Sequence, residues 1–315
     1  MDSTFVSVII PNYNHARFLD ERILSVLNQT YQNYELIILD DKSTDDSIQI
    51  INKYRDNSHV SHVLVNEENS GSPFLQWEKG MKLAKGELIW LAESDDSCTP
   101  IFLENLVSGY LKSNAALVFC RSEKIDLQGR VLPNPLQEEL TSDLIMDGHS
   151  FIKKYLISSN SIQNASSVVF RRDIALSLKG EYTSYRGAGD WVFWLQICLK
   201  GKVCYLNKPL NYYRWHGCNT SIQEAKSGKQ EIENKRVYDF MKNKGILNVK
   251  QYQDIRKEKL DFVLYGHVFD QNTKKMLLET WDSDFLTLSE VRAKRLIKRI
   301  KHLCGRILRR VNILD

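Results

Sequence analysis

Glu87-Leu88-Ile89-Trp90-Leu91-Ala92-Glu93-Ser94-Asp95-Asp96 places an unbroken apolar run directly before three carboxylates. An apolar run without polar alternation suits a strand buried on both faces, the habit of parallel sheets. Two upstream stretches repeat the arrangement. Residues 35–39 are apolar after Glu35 and lead into Asp40-Asp41, and residues 5–10 lead into Pro11-Asn12-Tyr13-Asn14, with Pro11 expected to stop the strand. Between these strands lie segments of helical period at 18–27, from a Ser43 or Thr44 cap to Tyr54, and at 72–83. Residues 60–65 make a further strand, Pro100 opens a helix, and 116–120 make a fifth strand. Strands alternating with helices of this length imply βαβ units, hence an α/β fold with a mostly parallel, Rossmann-like sheet and flanking helices. Ligands of such sheets bind at the carboxyl ends of the strands, where the acidic pairs fall.

Beyond residue 120 the pattern loosens. Residues 127–165 read as loop with one short helix at 149–156, and 168–170 as a strand. A helix is expected at 191–199 and two separate strands at 203–206 and 210–215. From about Gln223 the chain reads as helical to its end, without proline.

The net charge of +4 is uneven. Residues 291–315 carry nine Lys/Arg against Asp315, so that segment is +8 and residues 1–290 are −4. A nucleic-acid partner is not expected from an acidic body with a single basic tail. Leu296, Ile297, Ile300, Leu303, Cys304, Ile307, Leu308 and Val311 recur at helical steps, and cations fill much of the opposite face. Such a helix can lie on an anionic membrane surface or simply pack on the body. No apolar run approaches the roughly 20 residues of a membrane span, and no secretory leader is evident. Six scattered cysteines form no Cys-x-x-Cys pair, which predicts a reduced, cytoplasmic protein, peripheral at most to the inner face of the membrane.

Three carboxylates within four residues, Glu93, Asp95 and Asp96, repel one another unless a cation is present. Mn²⁺ or Mg²⁺ is held in this way, by one or two carboxylates with phosphates and water. Asp40 or Asp41 could accept the imide N–H of uracil, and Tyr13 could stack on a base. Asp190, in Gly187-Ala188-Gly189-Asp190-Trp191, could serve as a general base. Arg214 suits a diphosphate and His216 a metal. Taken singly, the Glu93-Ser94-Asp95-Asp96 and Asp40-Asp41 groups read equally well as caps of following helices, and Asp190 reads better as a cap than as a base. Gly-x-Gly-x-x-Gly, Walker and Gly-x-Ser-x-Gly motifs are missing, which turns the reading away from dinucleotide oxidoreductases, P-loop NTPases and α/β-hydrolases.

In this order the motifs resemble those of family 2 glycosyltransferases of the GT-A fold. Val6-Ser7-Val8-Ile9-Ile10-Pro11-Asn12-Tyr13-Asn14 is similar to the family's opening. Ile38-Leu39-Asp40-Asp41-Lys42-Ser43-Thr44-Asp45 is similar to its "VDDGSTD" segment, with Lys42 for the usual Gly. Glu68-Asn69-Ser70-Gly71-Ser72 follows as in a bacterial subgroup, and Glu93-Ser94-Asp95-Asp96 stands in place of "DxDD". Gly189-Asp190 stands for Glu-Asp, and Pro209-Leu210-Asn211-Tyr212-Tyr213-Arg214-Trp215-His216 resembles the late "pLyxYRxH" segment.

The resemblance covers residues 5–220 and implies a transferase that moves a sugar from a nucleotide-diphosphate donor, UDP-linked first, to a glycan or lipid-linked acceptor. It implies a GT-A domain at 1–222, with 1–110 holding the nucleotide and 111–222 the acceptor, and a helical extension at 223–315. Pro11, Tyr13, Asn14, Asp40, Asp41, Asn69 and Ser94 would line the donor nucleotide. Asp95, with Asp96, Glu93 and His216, would hold the metal, Arg214 would meet the diphosphate, and Asp190 would be the base. A sugar-nucleotidyltransferase would need a Gly-rich loop and a basic residue after the first strand, which Pro11-Asn12-Tyr13-Asn14 does not supply. A non-catalytic nucleotide-sugar-binding partner subunit would have no need of Asp190.

Overall fold

The computed structural model describes residues 4–133, 140–216, 227–266, 268–282, 289–293 and 295. The chain divides into two compact units, Met1–Gly217 and Cys218–Asp315. The expected boundary at 222 falls among residues outside the described ones.

In the first unit, β1 (Val6–Asn12), β2 (Tyr34–Asp40), β3 (Val60–Val65) and β4 (Leu88–Leu91) pair in parallel in the order β3-β2-β1-β4. The sheet continues through β8 (Val168–Arg171), β6 (Leu117–Ile125), β9 (Lys202–Arg214) and β5 (Ser97–Cys98), and β7 (Leu144–Asp147) also pairs with β9. β8 is antiparallel to both β4 and β6, whereas β9 runs parallel to β6. β1, β4 and β9 therefore point the same way and end on one side of the sheet.

Every residue of β1 and β2 is buried, as the apolar runs require. Val8, Ile10, Leu36, Ile38 and Trp90 form one core with Leu19, Ile23 and Val26 of α1 (Ala16–Leu27) and with Phe102, Leu103 and Leu106 of α4 (Phe102–Ser113). Ile9, on the other face, meets α3 (Pro73–Leu83) so closely that a Cβ on Gly80 would lie 2.5 Å from its side chain. α7 (Gly189–Cys198) packs on that side through Phe193, whose ring lies 5.8 Å from Trp77 and 5.2 Å from Phe170. Each fully buried Leu or Ile contributes roughly 1.5–3 kcal/mol, so both faces fix the register.

Four local expectations are corrected. Pro11 does not end β1. Ile9 accepts from the Ala92 N–H, so alternation turns Pro11 toward β4 too, but beyond its last residue, where no ladder bond needs a proline N–H. Neither Ser43 nor Thr44 caps α2 (Ser47–Asn52), whose N-cap position is held by Asp46. Lys202–Arg214 form one strand rather than two, because β9 absorbs Asn207, Lys208 and Leu210 in two register shifts, opposite Cys120/Arg121 and Arg121/Ser122. β7 lies in the segment expected to be loop; after it, α5 (Gly148–Phe151) continues as a π-helical turn over Ile152–Leu156.

α6 (Arg172–Leu176) completes the α-helices described in the first unit, beside 3-10 turns at Ala165–Ser167 and Glu181–Ser184. The second unit contains α8 (Lys229–Asn243), α9 (Val249–Tyr265) and α10 (Gln271–Trp281), as its helical reading predicts. Asn248 and Gln251 form a reciprocal capping box at α9, and Asp270 caps α10 through the Thr273 N–H. Val237, Met241, Leu260, Val263, Leu277 and Trp281 are buried. Most of the basic amphipathic segment, including residues 296–315, falls outside the described residues. Among those described, no helix is long and apolar enough to cross a membrane. Cys98, Cys120, Cys198 and Cys204 are buried free thiols.

Candidate active site

At the ends of β1 and β2, two loops are keyed together by side chains. Asp40 is fully buried and accepts from Asn12 Nδ2 (2.7 Å), the Ser43 N–H (2.8 Å) and Ser43 Oγ (2.6 Å). Asn14 accepts from the Thr44 N–H at 2.7 Å, and its own N–H donates to Ser43 Oγ at 2.9 Å. Both loops use left-handed backbone, Asn14 at φ +55° and Lys42 at φ +65°. Asn tolerates that region, but Lys carries the Cβ penalty that a Gly avoids. Lys42→Gly is accordingly expected to raise stability by up to about 1 kcal/mol, read as a higher denaturant midpoint at unchanged slope. An unchanged or lower midpoint would show that the lysine side chain compensates.

Asp41 is buried next to Asp40. Its Oδ1 accepts from Asn66 Nδ2 (2.6 Å), the Ser70 N–H (2.9 Å) and Gln76 Nε2 (2.8 Å), whereas Oδ2 takes only Ser70 Oγ (2.7 Å). Each carboxylate oxygen offers about two lone pairs, so Oδ2, with one donor among the described residues, retains capacity for one further N–H. Asn69 donates to the Asp41 carbonyl at 3.0 Å and shapes this wall. Pro11 is buried in β1, while Tyr13 is 46% exposed, as a ring free to stack would be.

The acidic loop after β4 separates its three carboxylates. Glu93 accepts from Trp77 Nε1 at 2.8 Å; burial and the charge on Asp95 push its pKa up to about 8. Asp96 is buried and accepts from Asn164 Nδ2 (2.9 Å), Ser166 Oγ (2.6 Å) and the Arg214 N–H (2.9 Å). Burial and Asp95 together raise Asp96 to about 6. Burial also acts against ionisation of Asp95. The hydrogen bond from His216 and the fields of His15 and His216 outweigh it and hold Asp95 below the usual carboxylate range. His216 Nε2 lies 3.0 Å from Asp95 Oδ2, and its ring stacks on Phe18 at 5.5 Å.

Of the four expected metal ligands, the structure brings Asp95 and His216 together, whereas Glu93 and Asp96 turn into protein contacts. His15 lies beside the remaining pair: one possible ligand atom each from His15, Asp95 and His216 lie within 4.8 Å of one another. Ser94 Oγ is 2.8 Å from His15 Nδ1, so Ser94 orients an imidazole. Arg214 is also placed differently from the expected diphosphate contact. It is buried, with Nε donating to the Asp95 carbonyl (2.9 Å), Nη1 to that of Asp126 (3.1 Å) and Nη2 to Glu21 (2.7 Å). Arg214 thus clamps the acidic loop.

Asp190 lies in the first turn of α7, with Oδ1 accepting from the Trp191 N–H (2.7 Å) and Oδ2 from Asn160 Nδ2 (2.9 Å). Trp77 links this helix to the acidic loop, because its ring packs near Phe193 and Trp194 while its N–H reaches Glu93.

The family model described as "Glycosyl transferase family 2" matches residues 7–177, more than half of the chain. The chain belongs to this family. An uncharacterized glycosyltransferase of Haemophilus influenzae is 36% identical over 234 residues, covering 72% of this chain and 86% of that one. The poly(ribitol-phosphate) beta-N-acetylglucosaminyltransferase TarP of Staphylococcus aureus is 29% identical over 215 residues, covering 66% of this chain and 62% of TarP. Residues 1–349 of S. aureus TarS, solved in complex with UDP-GlcNAc, superpose with a TM-score of 0.65 at 20% identity, covering 88% of this chain and 80% of that solved segment. The fold of this glycosyltransferase is GT-A.

Several site residues of the glycosyltransferase carry no local sequence signal. His15 reads as one more loop residue, and only its proximity to Ser94, Asp95 and His216 gives it a role. Asn160 and Trp77 are similar cases. Gly189, in contrast, has a clear physical reason. A Cβ there would lie 2.5 Å from the Phe74 ring and 2.7 Å from the Tyr182 carbonyl oxygen, so the family's Glu cannot be accommodated. Gly189→Glu is expected to destabilise by about 1–3 kcal/mol through overpacking, measured by denaturant unfolding. A variant as stable as the parent would contradict this packing account.

Proposed function

We propose that this glycosyltransferase transfers a sugar with inversion, in a single displacement, from a UDP-sugar to a hydroxyl of a cell-surface glycan or lipid-linked acceptor. The observation that carries the reading is the pairing of ionised Asp95 with His216 at the sheet end that also presents Tyr13 and Asp41. A carboxylate and an imidazole 3.0 Å apart fit a divalent cation such as Mn²⁺ or Mg²⁺. When bound, the cation neutralises charge that builds on the departing diphosphate.

The chain supplies the remaining parts. Tyr13 offers a face to the nucleobase, and Asp41 Oδ2 accepts its imide N–H. Ser94 and Arg214 hold His15 and Asp95 in place, so that little reorganisation accompanies the reaction. Asp190 takes the acceptor's proton as the acceptor oxygen bonds to the anomeric carbon and the bond to diphosphate breaks. The poly(ribitol-phosphate) specificity in TarP's name supports an acceptor among cell-wall polymers.

The direct test is incubation with a panel of UDP-sugars and Mn²⁺, following release of UDP, and then determination of the product's anomeric configuration by NMR. Inversion is expected. Retention would overturn single displacement, and absence of UDP release with every donor would overturn the choice of nucleotide.

A further inference from the structure

His15 lies at the N-terminal boundary of α1, three residues after the end of β1, and its ring is edge-on to that of His216 at a centroid distance of 6.0 Å. One donor atom each from His15, Asp95 and His216 fall within 4.8 Å of one another, close to the spacing of atoms that share one ion at about 2.0–2.2 Å. The three come from the carboxyl ends of β1, β4 and β9, strands that point the same way. Ser94 Oγ engages His15 Nδ1 at 2.8 Å, which fixes the ring and leaves Nε2 as the donor atom. Phe18 stacks on His216 and fixes the second ring. Both imidazoles are therefore oriented by neighbours that are not themselves ligands, as ligating histidines are.

We propose that His15 is a third protein ligand of the cation, and that the completed set of two imidazoles and one carboxylate selects Mn²⁺ and Co²⁺ over Mg²⁺. The proposal rests on the metal-dependent reading of Asp95 and His216. Its physical basis is ligand softness. Mg²⁺ prefers oxygen donors and gives up water reluctantly, whereas imidazole nitrogen favours first-row transition ions. Asp95 with His216 alone offers one nitrogen and one carboxylate, a set on which Mg²⁺ competes better. A second nitrogen shifts the balance.

The test uses the full chain and metal alone. Mn²⁺ and Mg²⁺ are titrated by calorimetry, and nitrogen coupling to bound Mn²⁺ is read by electron spin-echo envelope modulation. The unaltered protein is expected to show two coupled imidazoles. His15→Ala is expected to show one, with Mn²⁺ bound at least about tenfold more weakly and Mg²⁺ affinity changed less than about twofold. His15→Asp, which keeps a good residue at the helix boundary, is expected to bind a cation again but with preference moved toward Mg²⁺. Equal losses for both ions in His15→Ala, or two imidazoles retained, would overturn the assignment of His15. If Asp95→Asn and His216→Ala abolish Mn²⁺ binding while His15→Ala leaves it intact, the cation site stands and His15 is no part of it. If the unaltered protein binds no Mn²⁺ even with UDP present, the underlying metal reading itself fails.

Discussion

Asp95→Asn is expected to reduce sugar transfer by more than about 1,000-fold and to remove the Mn²⁺ dependence of UDP binding. The change is nearly isosteric, and its effect follows from charge. Among the three carboxylates of the loop, Asp95 is the one whose pKa is lowered, through the His216 hydrogen bond and the fields of both histidines. An amide accepts the same hydrogen bond but carries no charge for a cation. The loop itself should hold, because Arg214 grips the Asp95 carbonyl and Asp96 remains tied to Asn164 and Ser166. Calorimetry of UDP with and without Mn²⁺, beside an unchanged melting temperature, separates lost chemistry from lost fold. Near-normal turnover in the variant would show that the metal assignment is wrong.

Asp190→Asn is expected to lower kcat on the order of 100-fold or more with donor affinity nearly unchanged. The surroundings make this variant informative. The new amide oxygen can still accept the Trp191 N–H, but the new NH₂ would meet the donating Nδ2 of Asn160. Asn160 can flip its amide to relieve that clash, because its Oδ1 is buried without a hydrogen-bond partner. Fold and donor site should thus survive while the base is lost. A parallel fall in UDP-sugar affinity and melting temperature would instead identify Asp190 as a structural residue of the helix entry.

The first four strands, their order of appearance and the acidic clusters at their ends could be read from the chain because each rests on local pattern. Buried parallel strands are apolar throughout, and helices between them keep their 3.6-residue period. What failed to show was set by partners distant in sequence. The acidic loop reads as three crowded charges, yet Trp77, Ser166 and Asn164 take two of them away. Arg214 looks suited to phosphate until Glu21, Asp126 and Asp95 are seen to occupy its donors. β7 is a four-residue strand that Leu144-Ile145-Met146-Asp147 cannot announce without β9 beside it. His15 becomes meaningful only when β4 and β9 deliver Asp95 and His216 to it.

The continuity of β9 has a bearing on how this enzyme could be remodelled. One strand pairs with β6 from Val203 through its last residue, Arg214, and leads directly to His216, so its residue count sets which side chains face the acidic loop. Inserting or deleting a single residue between 210 and 213 would reverse the facing of every side chain downstream. Clamp and imidazole would leave the loop together. The segment around 126–131, by contrast, is an exposed turn closed by Arg130 on Asp126, and length changes there leave the β9 register intact. Changes of length are therefore tolerated best at the exposed tip, residues 128–130, with Asp126, whose carbonyl holds Arg214, and β9 left as they are.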